Sequence, residues 1–353
     1  MKRKTLLDAL EKLFPAVASK PIVEEMGCFR FAGPELRSTD GMLAIRVTMD
    51  EDSGLHCLIH AEHILKLLRS MTDEDIDLAI DGESLRVQGK KLRGNYTISK
   101  AEDTMLDTVS FDADEWQDVP KGLLKGIHLC AFAASKDATR GALCGVCLRG
   151  NRVLASDAFR IAQYVVDGAG DLSAKVGAGG VCLRPALCRQ LRRHGDKLAK
   201  WAVRDDTVLF TSEDGSVAIA SKLFPSEFPD AEGWVKKADD LKASCVFPEA
   251  TAEAVRRHLE QMADVDDDSR QVRVSLAGKE VKITSKDGVT YELEDTLEME
   301  TAADKPLAFA VHPAYLLDIL DRTRRMHYGD ADQKMVAFKA EPLTYVAGVV
   351  EGK

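Results

Sequence analysis

A β-prone apolar run that breaks at a hydroxyl residue and an aspartate, then resumes, occurs twice in this chain. The first copy is Leu36-Arg37-Ser38-Thr39-Asp40-Gly41-Met42-Leu43-Ala44-Ile45, the second Val153-Leu154-Ala155-Ser156-Asp157-Ala158-Phe159-Arg160-Ile161-Ala162. An aspartate at such a break accepts hydrogen bonds from the backbone just after it, so each copy predicts an Asx turn between two strands. Asp40 and Asp157 lie 117 positions apart, close to one third of the 353 residues. A period of that size predicts tandem modules.

The flanking pattern carries the repeat further. Leu6, Leu7, Leu10, Leu13 and Phe14 have helical spacing, as do Ile64, Leu65, Leu67 and Leu68 after the first turn. Alternating pieces follow at 76–80, 85–88 and 96–98, as half-buried strands should. The programme then restarts. Leu123, Leu124, Ile127 and Leu129 predict a helix, 143–166 predicts strands, and 184–193 predicts a helix with Pro185 in its first turn. A third pass sets helices at 252–262 and 312–320 among strands at 272–276, 281–284, 335–338 and 344–347. The helix starts Ala61, Pro185 and Pro313 fall 124 and 128 positions apart. Three units of helix, strands, helix, strands predict an α+β chain with domains at 1–117, 118–241 and 242–353. The acidic stretch 112–118, ended by Pro120, reads as the first linker.

Composition narrows the function classes. With 45% hydrophobic residues and only 11 prolines the chain should fold. No segment approaches the ~18 uninterrupted apolar residues of a membrane span. The start, Met1-Lys2-Arg3-Lys4, turns acidic at Asp8 and Glu11, unlike a secretion signal. Eight scattered cysteines suit free thiols in a reducing, cytoplasmic compartment. The net charge of −10, taken alone, speaks against polyanion partners unless the charges are unevenly placed.

Catalytic patterns are weak. Cys144-Gly145-Val146-Cys147 has redox-motif spacing but sits in a predicted strand, away from a helix start that would stabilise a thiolate. His56, His60 and His63, with Cys57 nearby, hint at metal ligands, yet a strand end separates His56 from the helix bearing His63. Asp264, Asp266 and Asp268 mimic the start of a calcium loop, but Ser269 replaces its glycine and Ser275 its closing glutamate. No Gly-x4-Gly-Lys phosphate loop occurs, and no Ser/His/Asp set stands out. Neither a catalytic residue, a metal nor a cofactor is expected. A metal- or thiol-dependent enzyme built on these histidines or cysteines is kept as the alternative from another class.

With these residues in view, the chain resembles the bacterial DNA polymerase III β subunit, the processivity sliding clamp. The resemblance spans essentially the whole length. It rests on Leu143-Cys144-Gly145-Val146, on Ala155-Ser156-Asp157-Ala158-Phe159-Arg160-Ile161-Ala162, and on Ser221-Lys222-Leu223 with Phe228-Pro229-Asp230. The family writes the second as Ala-Thr-Asp-Gly-His-Arg-Leu-Ala. It implies three tandem DNA-clamp domains per chain and two chains head to tail, a homodimeric ring with helices lining the hole and antiparallel sheets outside. Its implied partners are double-stranded DNA, and DNA polymerase and clamp-loader subunits bound through short peptides. No membrane partner is implied.

Six candidate helix windows (2–17, 61–71, 121–136, 184–200, 249–263 and 313–325) hold 20 Lys and Arg against nine Asp and Glu. Those windows carry +11, and the other residues carry −21. For one helix a solvated basic face is the plainer explanation. An excess in five of six windows instead suits helices that face phosphates, with weak, salt-dependent attraction and no base reading. The densest cluster is Arg184, Arg189, Arg192, Arg193, Lys197 and Lys200, of which Arg189, Arg192 and Arg193 share a face. Lys66, Arg69, Lys121, Lys125, Arg256, Arg257, Arg322 and Arg325 complete the helical candidates. Lys20 and Arg140 match family positions that touch DNA from loops, although the loop at Lys20 is shortened.

The resemblance also implies a peptide groove between the second and third units. Matching positions are Leu143, Ser156, Ala158, Phe159, Arg160, Ile161, Pro229, Gly233, Trp234, Val346, Gly348, Val349 and Val350. Physically this is an apolar trough with one fixed cation, suited to a Leu or Phe anchor. The structural alternative is that Ile161, Val346 and Trp234 are ordinary core. The family's Met-Pro-Met-Arg near the end is replaced by Gly348-Val349-Val350-Glu351, its glycine and histidine by Ala158 and Phe159, and a basic residue by Gly233. Loss of the adaptable methionines predicts an altered, narrower peptide preference. The stretch 260–265 is less apolar than the family's helix end at the dimer contact, which motivates a third reading, a clamp-fold adaptor that does not close.

Overall fold

The structure is a computed structural model that describes residues 1–101, 104–167, 176–177, 179–263, 265, 269–286, 291–330 and 333–351. Its helices include α1 (Arg3–Leu13), α2 (Ala61–Ser70), α3 (Leu123–Cys130), α4 (Pro185–His194), α5 (Glu232–Lys237), α6 (Thr251–Gln261) and α7 (Pro313–Leu320). In α1 the buried residues Leu6, Ala9, Leu10 and Leu13 follow the three-four spacing of one helix face. In α4 the buried set is Leu187, Cys188, Gln190, Leu191 and His194, and Arg189, Arg192 and Arg193 are exposed. Among the described residues no helix is long and apolar enough to cross a membrane.

By packing, the chain divides into two compact units, residues 1–120 with 183–225, and residues 121–182 with 226–353. The first holds an eight-stranded sheet in the order His56–His60, Cys28–Ala32, Glu35–Thr39, Leu43–Thr48, Val217–Lys222, Thr207–Ser212, Leu198–Arg204, Gln117–Asp118. The second holds an eight-stranded sheet in the order Val181–Leu183, Val146–Arg149, Arg152–Ser156, Arg160–Val165, Leu343–Gly348, Met335–Ala340, Arg325–Tyr328, Ala243–Val246. The two orders are one strand programme run twice. In each, the third strand of one repeat pairs antiparallel with the last strand of the next. Ala44 faces Ala220 in the first sheet, and Ile161 faces Val346 in the second. This sharing explains why packing cuts the chain differently from the sequence period.

The third run of the programme is left in halves. The second unit carries Glu292–Glu298, Glu280–Lys286, Val272–Ala277, Leu307–Val311 and Val350–Glu351 in that order, and the first carries Asp77–Asp81, Ser84–Gln88 and Arg93–Thr97. Glu292–Glu298 stands where Leu43–Thr48 and Arg160–Val165 stand in the complete sheets. Arg93–Thr97 stands where Val217–Lys222 and Leu343–Gly348 stand. Both are edges among the described residues.

Some predicted boundaries shift, each for a local reason. The window 184–200 is helical only to His194. A 3-10 turn over Gly195–Lys197 follows, and Lys200 lies in the strand Leu198–Arg204. The helix of the last window stops at Leu320, and Arg325 starts a strand. Residues 138–144 form a 3-10 stretch, kinked where Gly141 takes a φ of 53°, so Cys144 precedes the strand that begins at Val146. The acidic linker is packed down rather than loose. Ala113 and Trp116 pack, half-buried, against a core of Ala44, Phe111, Ala202 and Leu209, and Arg37 and Arg46 lie 5.6 and 5.2 Å from the Phe111 ring centre.

Candidate functional sites

In the second unit the turn at Asp157 is built by side-chain bonds to its own backbone. The Ser156 hydroxyl donates to the Arg160 carbonyl (2.7 Å) and accepts from the Ala158 amide (3.1 Å). The Asp157 Oδ1 accepts from the amides of Phe159 (3.0 Å) and Arg160 (3.1 Å). Ala158 is held at a φ of 78°, left-handed backbone that favours glycine. The turn therefore directs Phe159 outward, where it is 57% exposed.

Arg160 points the other way and is buried. Its Nε donates to Asp157 Oδ2 at 2.9 Å, Nη1 to Asp318 Oδ2 at 2.6 Å, and Nη2 to the Phe132 carbonyl at 2.9 Å. The guanidinium carbon lies 4.4 Å from the Tyr315 ring centre and 5.6 Å from that of Phe132. Burial opposes its charge, but Tyr345 and the carboxylates of Asp318 and Asp157 outweigh that, and its pKa stays above the ordinary arginine value. The groove's expected fixed cation is thus a structural tie. Its partners Phe132, Tyr315 and Asp318 were not among the sequence candidates.

The other peptide-side candidates gather around this turn. The Gly348 amide donates to the Phe159 carbonyl at 2.8 Å. A Cβ placed on Gly348 would sit 3.2 Å from that carbonyl oxygen and 3.8 Å from the Trp234 indole, so glycine lets the strand pass under both. Trp234, on α5, is 42% exposed and Val350 is 50% exposed. Pro229, Gly233 and Ala158 are also exposed, with Leu143 and Val349 half-buried. Ser156, Ile161 and Val346 are buried beneath and serve as floor. The result is a surface of separate apolar side chains over a rigid sheet, a form suited to an extended peptide.

Arg140 belongs to the same surface. Its Nη1 donates to the Asp157 carbonyl (2.8 Å), its guanidinium lies 5.5 Å from the Phe159 ring centre, and Asp137 is 3.6 Å away. This places an exposed cation beside the Phe159 ring, in a cation–π arrangement.

The basic candidates fall in both units. In the first, α1, α2 and α4 meet around Glu11. Arg69 Nε pairs with its carboxylate at 3.1 Å, and Arg193 Nη1 donates to its carbonyl at 3.1 Å. Lys66, Arg189 and Arg192 are exposed on these helices, Lys197 on the 3-10 turn after α4, and Lys20 on the loop before Cys28. His194 lies buried under this surface. Burial first, then the charges of Arg193, Lys12 and Lys197, hold its pKa down at about 4. Arg184 is used internally: it donates to the Lys222 and Leu223 carbonyls and lies 4.5 Å from the Phe224 ring centre.

In the second unit Lys121, Lys125 and Arg325 are exposed. Arg256 pairs with Glu253 (2.8 Å) and Arg257 with Asp295 (2.7 Å). Arg322 is drawn into packing, its guanidinium 4.1 Å from the Phe132 ring centre and bonded to the Asp318 carbonyl.

The groups of the enzymatic alternative are placed differently. All eight cysteines are free and buried. The Cys144 thiol donates to the Asp137 carbonyl at 2.9 Å, whereas Cys147 shares a hydrogen bond with Cys182 that, with burial, raises its pKa. The rings of His60 and His63 stack with centres 4.3 Å apart. His56 opens the strand that His60 closes, so four extended steps of roughly 3.3 Å keep it away. Asp264, Asp266 and Asp268 lie outside the described residues. A buried contact that no sequence motif marks lies in the same unit: His258 Nδ1 meets the Ser285 hydroxyl at 2.6 Å and its Nε2 is 3.4 Å from Asp295. His258 is fully buried and Ser285 nearly so, which suits a packing bond rather than a reaction site.

These repeats, shared sheets and basic helices define an α+β DNA-clamp fold. Solved structures that match it over the whole chain include bacterial DNA polymerase III β subunits. The DnaN sliding clamp (DNA polymerase III subunit beta) of Bartonella birtlesii, solved bound to griselimycin, matches with a TM-score of 0.83 and 18% identity, covering 100% of this chain and 98% of that one. The subunit of Pseudomonas aeruginosa gives 0.81 and 19%, and that of Thermotoga maritima 0.80 and 18%, each covering 100% of this chain and 99% of its own. No protein-family profile matches the chain, and no curated protein matches it in sequence.

Proposed function

We propose that the chain is a DNA sliding clamp, a non-catalytic processivity factor. Two copies would join head to tail into a ring around duplex DNA and tether polymerase and clamp-loader subunits through the surface at Phe159. The observation that carries this reading is the pair of half-sheets. Twice the strand programme joins one repeat to the next, and the third join is left open at Glu292–Glu298 and Arg93–Thr97. The first edge carries exposed Glu292, Glu294 and Glu298, and the second carries Arg93 just after Lys90 and Lys91. Opposite charges suit cross-strand pairing, and a heterologous contact that closes after two copies makes a finite ring.

In this reading the domains are 1–117, 118–241 and 242–353, and the ring works in the cytoplasm. The exposed cations on α1, α2, α3, α4 and α6 attract phosphates without reading bases, while the acidic remainder repels nonspecific contacts. The Phe159, Trp234 and Val350 surface receives a partner's extended peptide, with Arg140 positioned for an acidic side chain beside its anchor. The test is retention on nicked circular DNA after loading. The expected result is stable retention on the circle and release when the circle is cut. Equal retention on both would contradict encirclement.

A further inference from the structure

The turn that builds the Phe159 surface is reproduced bond for bond in the first unit. The Thr39 hydroxyl donates to the Leu43 carbonyl (3.0 Å) and accepts from the Gly41 amide (3.1 Å), as Ser156 does in its turn. Asp40 Oδ1 accepts from the Met42 amide (2.8 Å) and the Leu43 amide (2.7 Å), as Asp157 does. Gly41 has a φ of 86°, matching Ala158 at 78°. The Lys222 amide donates to the Met42 carbonyl at 2.8 Å, as the Gly348 amide does to Phe159. The Leu223 amide donates to the Asp206 carbonyl, as the Val349 amide does to Lys334.

The side chains on this second scaffold are also apolar and outward. Met42 takes the place of Phe159 and is 52% exposed. The 3-10 stretch that precedes the first strand, Glu24–Gly27, occupies the place of Ala138–Cys144. Its Met26 side chain ends 3.2 Å from where a Gly41 Cβ would sit, and its amide donates to the Val23 carbonyl at 3.0 Å. Val23 is exposed, and Ile22, near the place of Arg140, is 93% exposed. Exposed Met42, Val23 and Ile22, with half-buried Met26 and Leu223, suit an interaction surface rather than scatter.

We infer that the surface of Met42, Val23, Met26 and Leu223 is a second docking site, and that its occupant is an uncharged, apolar extended peptide of a partner protein. This rests on the reading of the Phe159 surface as a peptide site. Charge selects the occupant. Lys222 is paired with Asp206 at 2.6 Å, the Asp40 carboxylate is engaged by two amides, and Arg184 is bound to two carbonyls. Lys20 and Glu24, both exposed on the loop, carry opposite charges. Among these described residues the charges sum to zero, and Ile22 rather than a cation stands near the place of Arg140.

The experiment uses the full chain and a fluorescein-labelled peptide, Ser-Leu-Thr-Leu-Phe-Ser, with a photoreactive leucine as its second leucine. Two equivalents should bind per chain, with cross-links on the segments that contain Met42 and Phe159. Met42→Asp, on an exposed turn, should weaken binding at the Met42 site about tenfold and leave cross-linking at Phe159 unchanged. Phe159→Asp should do the reverse. A single equivalent, cross-linked at Phe159 alone, overturns the inference and leaves the first groove intact. A single equivalent at Met42 alone overturns the groove reading and leaves the inference intact. No cross-link at either overturns both, and displacement from Met42 by a 20-base-pair duplex would assign that surface to DNA and overturn the inference.

Discussion

Replacing Arg160 by methionine removes the cation but keeps a long apolar stem. Removing one partner of a buried ion pair typically costs about 3–5 kcal/mol, because the other charge is stranded. Here two features lower the figure. Asp157 keeps the amides of Phe159 and Arg160, and the Asp318 side chain is 38% exposed and regains water. The expected loss is therefore about 2–3 kcal/mol, or about 5–10 °C in Tm for a unit of this size. The double variant Arg160→Met with Asp318→Leu removes the stranded carboxylate and should recover at least about 1 kcal/mol relative to additive losses. Urea denaturation in a Trp116→Phe, Trp201→Phe background leaves Trp234 as the reporter of this unit. A single-variant loss under about 0.5 kcal/mol, or a double variant no better than additive, would refute the assignment of Arg160 as a buried tie.

Other outcomes follow from the same geometry. Arg192→Glu with Arg193→Glu should weaken DNA retention and lower the log-affinity versus log-salt slope by about 2, with peptide binding intact; loss of both activities would mean misfolding. His194 has its pKa held at about 4 in the fold against 6.5 unfolded, so its contribution is complete above pH 6.5 and is lost as pH falls toward 4. Up to about 3 kcal/mol should disappear over that window in denaturation curves, and His194→Gln should flatten the dependence. Gly41→Ala, with left-handed backbone and Met26 close by, should destabilise by about 1–2 kcal/mol, whereas Ala158→Gly should be neutral or stabilising. Arg93→Glu sets like charges across the proposed join and should weaken self-association by about fivefold in sedimentation, with unchanged mass distribution counting against that edge.

What was legible in the sequence was local or periodic. The turns at Asp40 and Asp157 were readable because their bonds span two to four residues. The helices were readable because Leu6, Leu10 and Leu13 keep one spacing, and the three-fold programme because its period recurs. The resemblance added the Phe159 surface. What stayed hidden depends on contacts far apart in the chain: Arg160 meets Asp318 across 158 positions, and Arg193 meets the Glu11 carbonyl across 182. No spacing rule ties Arg322 to the Phe132 ring, so its basic character suggested DNA while packing took it inward. Arg140 likewise read as a loop cation, and only the fold shows it lying over Phe159.

Sheets completed by strands from the following repeat also dictate how this protein can be dissected. A fragment ended at residue 241 would strip the Arg160–Val165 strand of its neighbour and bare a hydrophobic ribbon of Ile161, Ala162 and Tyr164. Such naked ribbons recruit other chains. Truncation along the sequence period should thus give insoluble pieces, and a soluble half would require splicing 121–182 onto 226–353.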